Sequence, residues 1–206
     1  EVGKKGPSGL ISYIRTDSVR VASEAQSAAL AYIEQRFGKQ YLPDKPNFYK
    51  GRAGAQDAHE AIRPTEIQNE PAKLREHLSN DQFKLYKLIY ERFLSSQMRE
   101  ARYATCQVTL DVNGVTFRAN GVQTLFDGFS AVYTEGRDDT QEREVALPSI
   151  RQGDAFTASK LTPEQRFTQP APRYTEATLI KALEEKGIGR PSTYSPTIST
   201  IIERGY

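Results

Sequence analysis

The dipeptide Asn113-Gly114 constrains the fold of this chain more than any other local feature. Apolar side chains alternate with polar ones on both sides of it: Val108, Leu110, Val112, Val115 and Phe117. Asn-Gly between two alternating runs is the strongest short signal of an antiparallel hairpin. The zone of residues 103–170 is therefore predicted to form strands, with a second turn at Asp127-Gly128.

Before this zone, residues 1–100 have helical periodicity. Ser23 with Gln26, and Ser79 with Gln82, each have the spacing of a capping box, in which a hydroxyl and an amide satisfy the free ends of a helix. Gly38 follows the first apolar helical stretch, where a glycine commonly ends a helix. Two helices are therefore predicted to begin near residues 23 and 79.

After residue 173 the pattern becomes helical again. Thr175 is predicted to cap one short helix, and Gly187-Ile188 has the form of a Schellman stop with its apolar contact. A second short helix follows the run Gly189-Arg190-Pro191. Two short helices with a tight glycine-containing turn predict a helix-turn-helix-like unit.

Together the zones predict an α+β chain of several domains. The 206 residues suffice for two or three small domains: a helical domain (1–100), a β-rich region (101–172) and a helical region (173–206). The chain starts at Glu1 without methionine and stops at Tyr206 directly after a helical pattern. We therefore expect a piece of a longer protein.

Composition limits the classes of function. With 28 Lys and Arg against 26 Asp and Glu, the net charge is +2, which excludes binding of nucleic acid by overall charge alone. The single cysteine excludes an intramolecular disulfide framework and a cysteine-rich zinc site. No apolar run reaches the roughly 18 residues of a membrane-spanning helix, so no membrane partner is expected.

The segment Gly9–Ser18, GLISYIRTDS, has the chemistry of a phosphodiester-attacking unit. As a strand it would place Tyr13 and Arg15 on one face. A guanidinium favours the phenolate and can neutralise a phosphate in the transition state, so Tyr13 becomes a candidate nucleophile. Most tyrosines are packing residues, and spacing alone favours that interpretation here.

A second cluster, AHEAIRPT, contains one of only two histidines. On a helical turn His59 and Arg63 would share a face and could hold a phosphate, while Asp57 or Glu60 could fix the imidazole tautomer. The alternative is a structural histidine at a helix end before Pro64. No second His or Cys lies nearby, so no metal site is predicted.

The third cluster, GIGRPSTY, lies where the second helix of the helix-turn-helix begins. The free N–H groups of a helix N-terminus attract anions. Arg190 adds charge, and Ser192 and Thr193 can cap the helix or donate to a phosphate. The alternative interpretation is a simple capped turn.

In this order, the three clusters resemble the bacterial type IA DNA topoisomerases, in particular the topoisomerase I branch. The similarity extends along nearly the whole chain. It implies that Tyr13 is the nucleophile that forms a 5′-phosphotyrosine and that Arg15 positions the scissile phosphate. It further implies that His59 helps to hold DNA, as Arg63 could, and that Arg190, Ser192 and Thr193 contact the single strand; none of these residues is implied to bind metal.

The resemblance also implies what the rest of the protein supplies. The family fold is a four-domain torus, of which this chain would cover the helical tyrosine-bearing domain, part of the β hinge domain and part of a helical DNA-binding domain. In the family, a Toprim domain binds Mg²⁺ through an Asp-x-Asp cluster. This chain has no Asp-x-Asp, and its nearest candidate is the adjacent pair Asp138-Asp139. The Mg²⁺ ligands are therefore expected outside this chain, with no cofactor bound within it.

The function implied is ATP-independent relaxation of negatively supercoiled DNA by single-strand breakage, strand passage and rejoining. The chain alone is expected to be inactive, monomeric and part of a cytoplasmic, nucleoid-associated bacterial protein. Two alternatives remain: a non-catalytic winged-helix-like DNA-binding module built on residues 175–204, and an adaptor that pairs with a protein through its β zone.

Overall fold

The computed structural model describes residues 9–14, 18–50, 59–133 and 147–205. The chain divides into two compact units, residues 1–150 and residues 151–206. The predicted α+β class is confirmed, because helices and an antiparallel two-stranded sheet are both present. The division into three domains stays a prediction.

The first unit contains two long helices, α1 (Ser23–Phe37) and α3 (Asn80–Ser96), with the single-turn helix α2 (Pro71–Leu74) between them. Short 3₁₀ turns follow α1 and α2, at Lys39–Tyr41 and Arg75–His77. Gly38 ends α1 with a φ of +99°, as its position in the sequence predicted. The cluster AHEAIRPT therefore lies in the connection between the two long helices.

The core of this unit lies between α1 and α3. Its buried residues are mostly aliphatic and aromatic: Ala29, Tyr32, Ile33, Ile67, Leu74, Tyr86, Tyr90, Phe93, Leu94 and Met98. The Tyr86 hydroxyl donates to the Asn69 carbonyl at 2.6 Å, and burial raises its pKa to about 12. Tyr86, Phe93 and Leu94 of α3 are therefore core, whereas Leu88 on the same helix is exposed.

The two capping predictions have different outcomes. Ser79 and Gln82 form the reciprocal capping box of α3. The box predicted at Ser23 is wrong, because α1 has Ala22 at its N-cap and no side-chain cap there. The Ala22 amide instead donates to Glu60 Oε1 at 2.7 Å, a residue 38 positions away. A hydrogen bond to the distant Glu60 carboxylate has therefore replaced the predicted local capping box at the start of α1.

The hairpin is confirmed as strands β1 (Arg102–Val112) and β2 (Val115–Phe126), in antiparallel register with Val112 opposite Val115. Asn113 and Gly114 have φ values of +52° and +82°, the left-handed region that a two-residue turn requires. The prediction of strands up to residue 170 is wrong. A 3₁₀ turn at Gly128–Ala131 follows β2, and residues 147–170 form neither helix nor strand.

The second unit is built on helices α4 (Glu176–Glu185) and α5 (Pro191–Glu203). Thr175 caps α4 by accepting from the Thr178 amide. The Schellman stop is confirmed: the Gly187 amide donates to the Glu184 carbonyl at 3.0 Å, and the Ile188 amide to the Leu183 carbonyl at 2.8 Å. Two short helices with a glycine-containing turn between them are therefore present, as predicted; the helix-turn-helix-like DNA-binding unit stays a prediction.

Candidate nucleic-acid interface and nucleophile

Tyr13 lies at the surface of the first unit, with 79% of its side chain exposed. The strand predicted for residues 9–18 is wrong over its described part: Ile11 makes one isolated antiparallel bridge to Pro64, and regular pairing ends there. Ile14, the residue after Tyr13, is also exposed. The phenol is therefore open to solvent and not part of the core.

The first anchor of the Tyr13 segment is Ser12. Its amide donates to the Arg63 carbonyl at 2.9 Å. Its hydroxyl donates to the Ala61 carbonyl at 2.7 Å and accepts from the Arg63 amide at 3.0 Å. Ser12, the residue before Tyr13, is thus bonded to the chain that follows His59.

The second anchor lies on the other side of the tyrosine. The Ser18 hydroxyl donates to the His59 carbonyl at 2.6 Å. Two residues further, the Arg20 carbonyl accepts from the Ala61 amide at 2.7 Å. Ser12 before the tyrosine and Ser18 and Arg20 after it are therefore bonded to the same neighbouring segment, residues 59–63; Arg15 itself lies outside the described residues.

This arrangement brings Tyr13 and His59 together. Their ring centroids are 6.5 Å apart, with the ring planes inclined by 33°. His59 is half-buried, whereas Tyr13 is exposed. The exposed edge of this pair is thus open to a ligand that reaches the phenol.

The helical turn predicted at His59–Arg63 is wrong. Residues 59–63 are not helical, because their backbone groups bond to residues 12, 18 and 20. His59 and Arg63 therefore do not share a helix face. Of the two acidic residues considered for His59, Glu60 pairs with Arg63, and Asp57 lies outside the described residues.

Arg63 is engaged within the protein. Its Nε and Nη2 donate to the two carboxylate oxygens of Glu60 at 2.9 and 3.0 Å, and its Nη1 donates to the Pro64 carbonyl at 2.9 Å. Only 14% of the Arg63 side chain and 23% of that of Glu60 are exposed. Burial acts to raise the pKa of Glu60, but the hydrogen bonds from Arg63 and the Ala22 amide and the charges of Arg63 and Arg20 outweigh it, so the pKa lies below its ordinary value.

In the second unit, Arg190 is the N-cap residue of α5 and is exposed, as are Ser192 and Thr193. The Arg190 amide donates to Thr193 Oγ1 at 2.9 Å, and that hydroxyl donates to the Arg190 carbonyl at 3.0 Å. Gly189 has a φ of +79°. Thr193 therefore serves as a cap, while the guanidinium and the Ser192 hydroxyl face solvent beside a helix N-terminus.

Sequence reasoning missed the anchors Ser12 and Ser18 and the cap that Glu60 gives α1. The sequence signal was present, because a serine flanks the YIRTD stretch on each side. A hydroxyl can bond to many local or distant partners, and sequence spacing does not select one.

The described residues contain no group of three or more His, Cys, Asp or Glu side chains that could hold a metal ion. The donors present in these ranges thus do not fit a Mg²⁺ site. Within the same ranges, no helix is long and apolar enough to cross a bilayer.

Comparison with known proteins identifies the family to which this chain belongs. The family model described as DNA topoisomerase matches residues 6–206, and the chain belongs to that family. Full-length topoisomerase I from Thermotoga maritima has a similar solved structure, with 35% sequence identity and a TM-score of 0.75. That match covers 99% of this chain and 32% of the Thermotoga chain, so the chain spans about a third of its length.

Proposed function

We propose that this chain is the tyrosine-bearing part of a type IA topoisomerase, which relaxes negatively supercoiled DNA without ATP. Tyr13 is the nucleophile. Its phenol oxygen attacks a backbone phosphorus, the bond from phosphorus to the 3′ oxygen breaks, and the phenol proton leaves while the 3′ oxygen gains one. The product is a 5′-phosphotyrosine with a free 3′-hydroxyl, and the reverse reaction rejoins the strand after passage.

The observation that supports this proposal is the exposed phenol of Tyr13 beside His59, with ring centroids 6.5 Å apart. A nucleophile must reach its phosphate, and a packed tyrosine would not. The two serine anchors restrict the segment that carries the phenol, which favours an oriented attack. Arg15 is proposed to position the scissile phosphate through its guanidinium.

DNA is the proposed partner, chiefly as single-stranded segments. His59 is proposed to hold DNA next to the phenol, and Arg190, Ser192 and Thr193 to bind the strand at the start of α5. Arg63 was predicted from sequence to join them, but its guanidinium is engaged by Glu60. Its role in DNA binding stays a prediction.

A Toprim domain of the same protein is the second proposed partner. It is proposed to supply the residues that bind Mg²⁺, which lie outside this chain. The ion would supply electrostatic stabilisation near the cleaved phosphate. We therefore propose that the chain alone is monomeric, binds DNA weakly and neither cleaves nor relaxes it. Location in the bacterial cytoplasm, close to the nucleoid, is part of the same proposal.

Two assays test the proposal. Supercoiled plasmid with the chain and Mg²⁺ should stay supercoiled; efficient relaxation would show that no further domain is needed. Adding a separately made Toprim domain and a labelled single-stranded oligonucleotide should give a covalent protein–DNA adduct. Tyr13→Phe should abolish it, because the phenol oxygen is removed.

In the reconstituted reaction, Arg15→Ala should form the adduct more slowly. Losing one charge-stabilising donor should raise the barrier by about a few kcal/mol.

The winged-helix alternative predicts instead a preferred duplex site, bound equally well by Tyr13→Phe. Footprinting that finds such a site, with no adduct in the reconstituted reaction, would favour the alternative.

A further inference from the structure

The Glu60 side chain links segments that are distant in the sequence, and the proposed chemistry gives this residue no role. It follows His59 directly, and its carboxylate contacts Ala22 and Arg63, through which it is linked to Ser12. One oxygen accepts from the Ala22 amide at the N-cap of α1, 2.7 Å away. Both oxygens accept from the Arg63 guanidinium, and Arg63 in turn is bonded through its backbone to Ser12.

These contacts belong to a ring of hydrogen bonds that includes both flanks, Ser12 and Ser18, of the tyrosine-bearing stretch, here called the nucleophile segment. The segment leaves residues 59–63 at Ser12 and returns to them at Ser18. It then enters α1 at Ala22, which Glu60 holds. Glu60 thus links Ala22, at the start of α1, to Arg63, which is bonded to Ser12.

From this junction we infer that Glu60 is a positioning residue for the Tyr13–His59 pair. It touches neither DNA nor the reacting atoms. It acts through Arg63 and Ala22, whose places fix the two ends of the segment that carries the phenol. The inference deepens the proposed function and rests on it, because the positioned phenol is the proposed nucleophile.

Charge-assisted hydrogen bonds to a half-buried carboxylate are stronger than neutral ones, so removing the charge should loosen the ring. Glu60→Gln keeps the side-chain shape but loses the charge and one acceptor oxygen. The matched control is Glu70→Gln: Glu70 also has an i,i+3 ion pair, to Lys73 Nζ at 2.7 Å, and also has a lowered pKa, but that ion pair lies away from the nucleophile segment.

The first readout uses the 206-residue chain and needs no catalysis. Amide hydrogen exchange of Ser12, Ala22 and Ala61 should be faster in Glu60→Gln than in the wild type, while amides within α3 keep their rates. Unchanged exchange at these three amides would overturn the inference.

The second readout is the reconstituted adduct reaction with a mixed-sequence single-stranded oligonucleotide. Glu60→Gln should form the adduct about tenfold or more slowly, because small displacements of a nucleophile are costly, with oligonucleotide affinity unchanged. Glu70→Gln should behave as the wild type. Equal rates in the two variants, or a loss confined to affinity, would overturn the inference.

If Glu60→Gln does not fold, Glu60→Asp serves instead. It keeps the charge but is too short to reach Arg63 and Ala22 together, so its adduct should form more slowly than in the wild type; a wild-type rate would overturn the inference. An adduct that persists in Tyr13→Phe overturns the proposed function itself. An adduct lost in Tyr13→Phe but unaffected at Glu60 overturns only the role of Glu60.

Discussion

Two arginines that look alike in the sequence have different surroundings in the structure. Arg63 and Arg190 each precede a proline within a conspicuous motif, and both were predicted to bind phosphate. Arg63 has three of its donors committed to Glu60 and the Pro64 carbonyl, and only 14% of its side chain is exposed. Arg190 is exposed, and its Nη1 donates to the neighbouring Gly189 carbonyl at 3.2 Å.

The difference shows that a basic residue in a motif does not by itself indicate a ligand. A buried ion pair fixes local geometry and is costly to break, whereas an exposed guanidinium has little cost to rearrange. Arg63 is therefore expected to contribute mainly to the stability of the Tyr13 site, and Arg190 mainly to binding.

The largest expected effect is on stability, in Arg63→Ala. The variant leaves the half-buried Glu60 carboxylate without its guanidinium, so the free energy of unfolding should fall by about 1–3 kcal/mol. Urea denaturation monitored by circular dichroism measures it. Lys73→Ala, which removes a more exposed partner from a similar i,i+3 pair, should change it by less than about 1 kcal/mol.

If Arg63→Ala instead left stability intact and weakened DNA binding, the contrast between the two arginines would be lost. Arg63 would then be a phosphate contact, as its motif first indicated.

A smaller effect is expected at Gly189, which adjoins Arg190. Its φ of +79° is unfavourable for any residue with a Cβ, and an added Cβ would lie 3.1 Å from Thr193 Oγ1 and from the Tyr194 ring. Gly189→Ala should therefore destabilise the α4–α5 turn by about 1–2 kcal/mol. Faster amide exchange at the start of α5 would report the destabilisation. Gly153→Ala is the control, because Gly153 has a similar φ but open space around the added Cβ. It separates backbone strain from the steric clash with Thr193 and Tyr194.

Arg190→Ala should hardly change stability, within about 0.5 kcal/mol, because the side chain is exposed. Its effect should be on DNA. Loss of one phosphate contact should reduce the slope of log affinity against log salt by about 1 for a single-stranded oligonucleotide. Titrations at several salt concentrations measure the slope, and Lys181→Ala on α4 is a matched exposed control. Equal slopes in the two variants would remove Arg190 from the interface.

The smallest effect is pH dependence at Glu60. Because the folded state lowers its pKa, its contribution to stability is complete above the ordinary pKa of 4.5 and is lost as the pH falls through the lower folded-state value. The stability difference between the wild type and Glu60→Gln should therefore shrink on acidification from neutral pH. Urea midpoints at pH 7 and at acidic pH test this, and a difference that grows in acid would contradict the sign.

The regular elements were largely predictable. Alternation around Asn113-Gly114 gave the hairpin, and the capping residues Ser79 and Thr175 marked the starts of α3 and α4 correctly. Each of these signals depends on partners a few residues apart. The prediction failed at Ser23 and at residues 59–63, where the partners are 38 to 51 residues away.

The same limit applies to the candidate site. Tyr13 and His59 were both selected from sequence, by the chemistry of their residue types and by the resemblance of their motifs. Their proximity was not contained in either motif, since 46 positions separate them, the difference between their residue numbers. Only the folded chain shows the two rings 6.5 Å apart.

By itself the sequence determined the local elements and the family, because turns, caps and motif chemistry depend on neighbouring residues. The tertiary structure alone decided that Ser12, Ser18 and Glu60 hold the tyrosine segment and that Arg63 serves an ion pair. The physical reason is that hydroxyl, carboxylate and guanidinium groups bond to whichever partner the fold brings within about 3 Å, and that choice depends on distant parts of the chain.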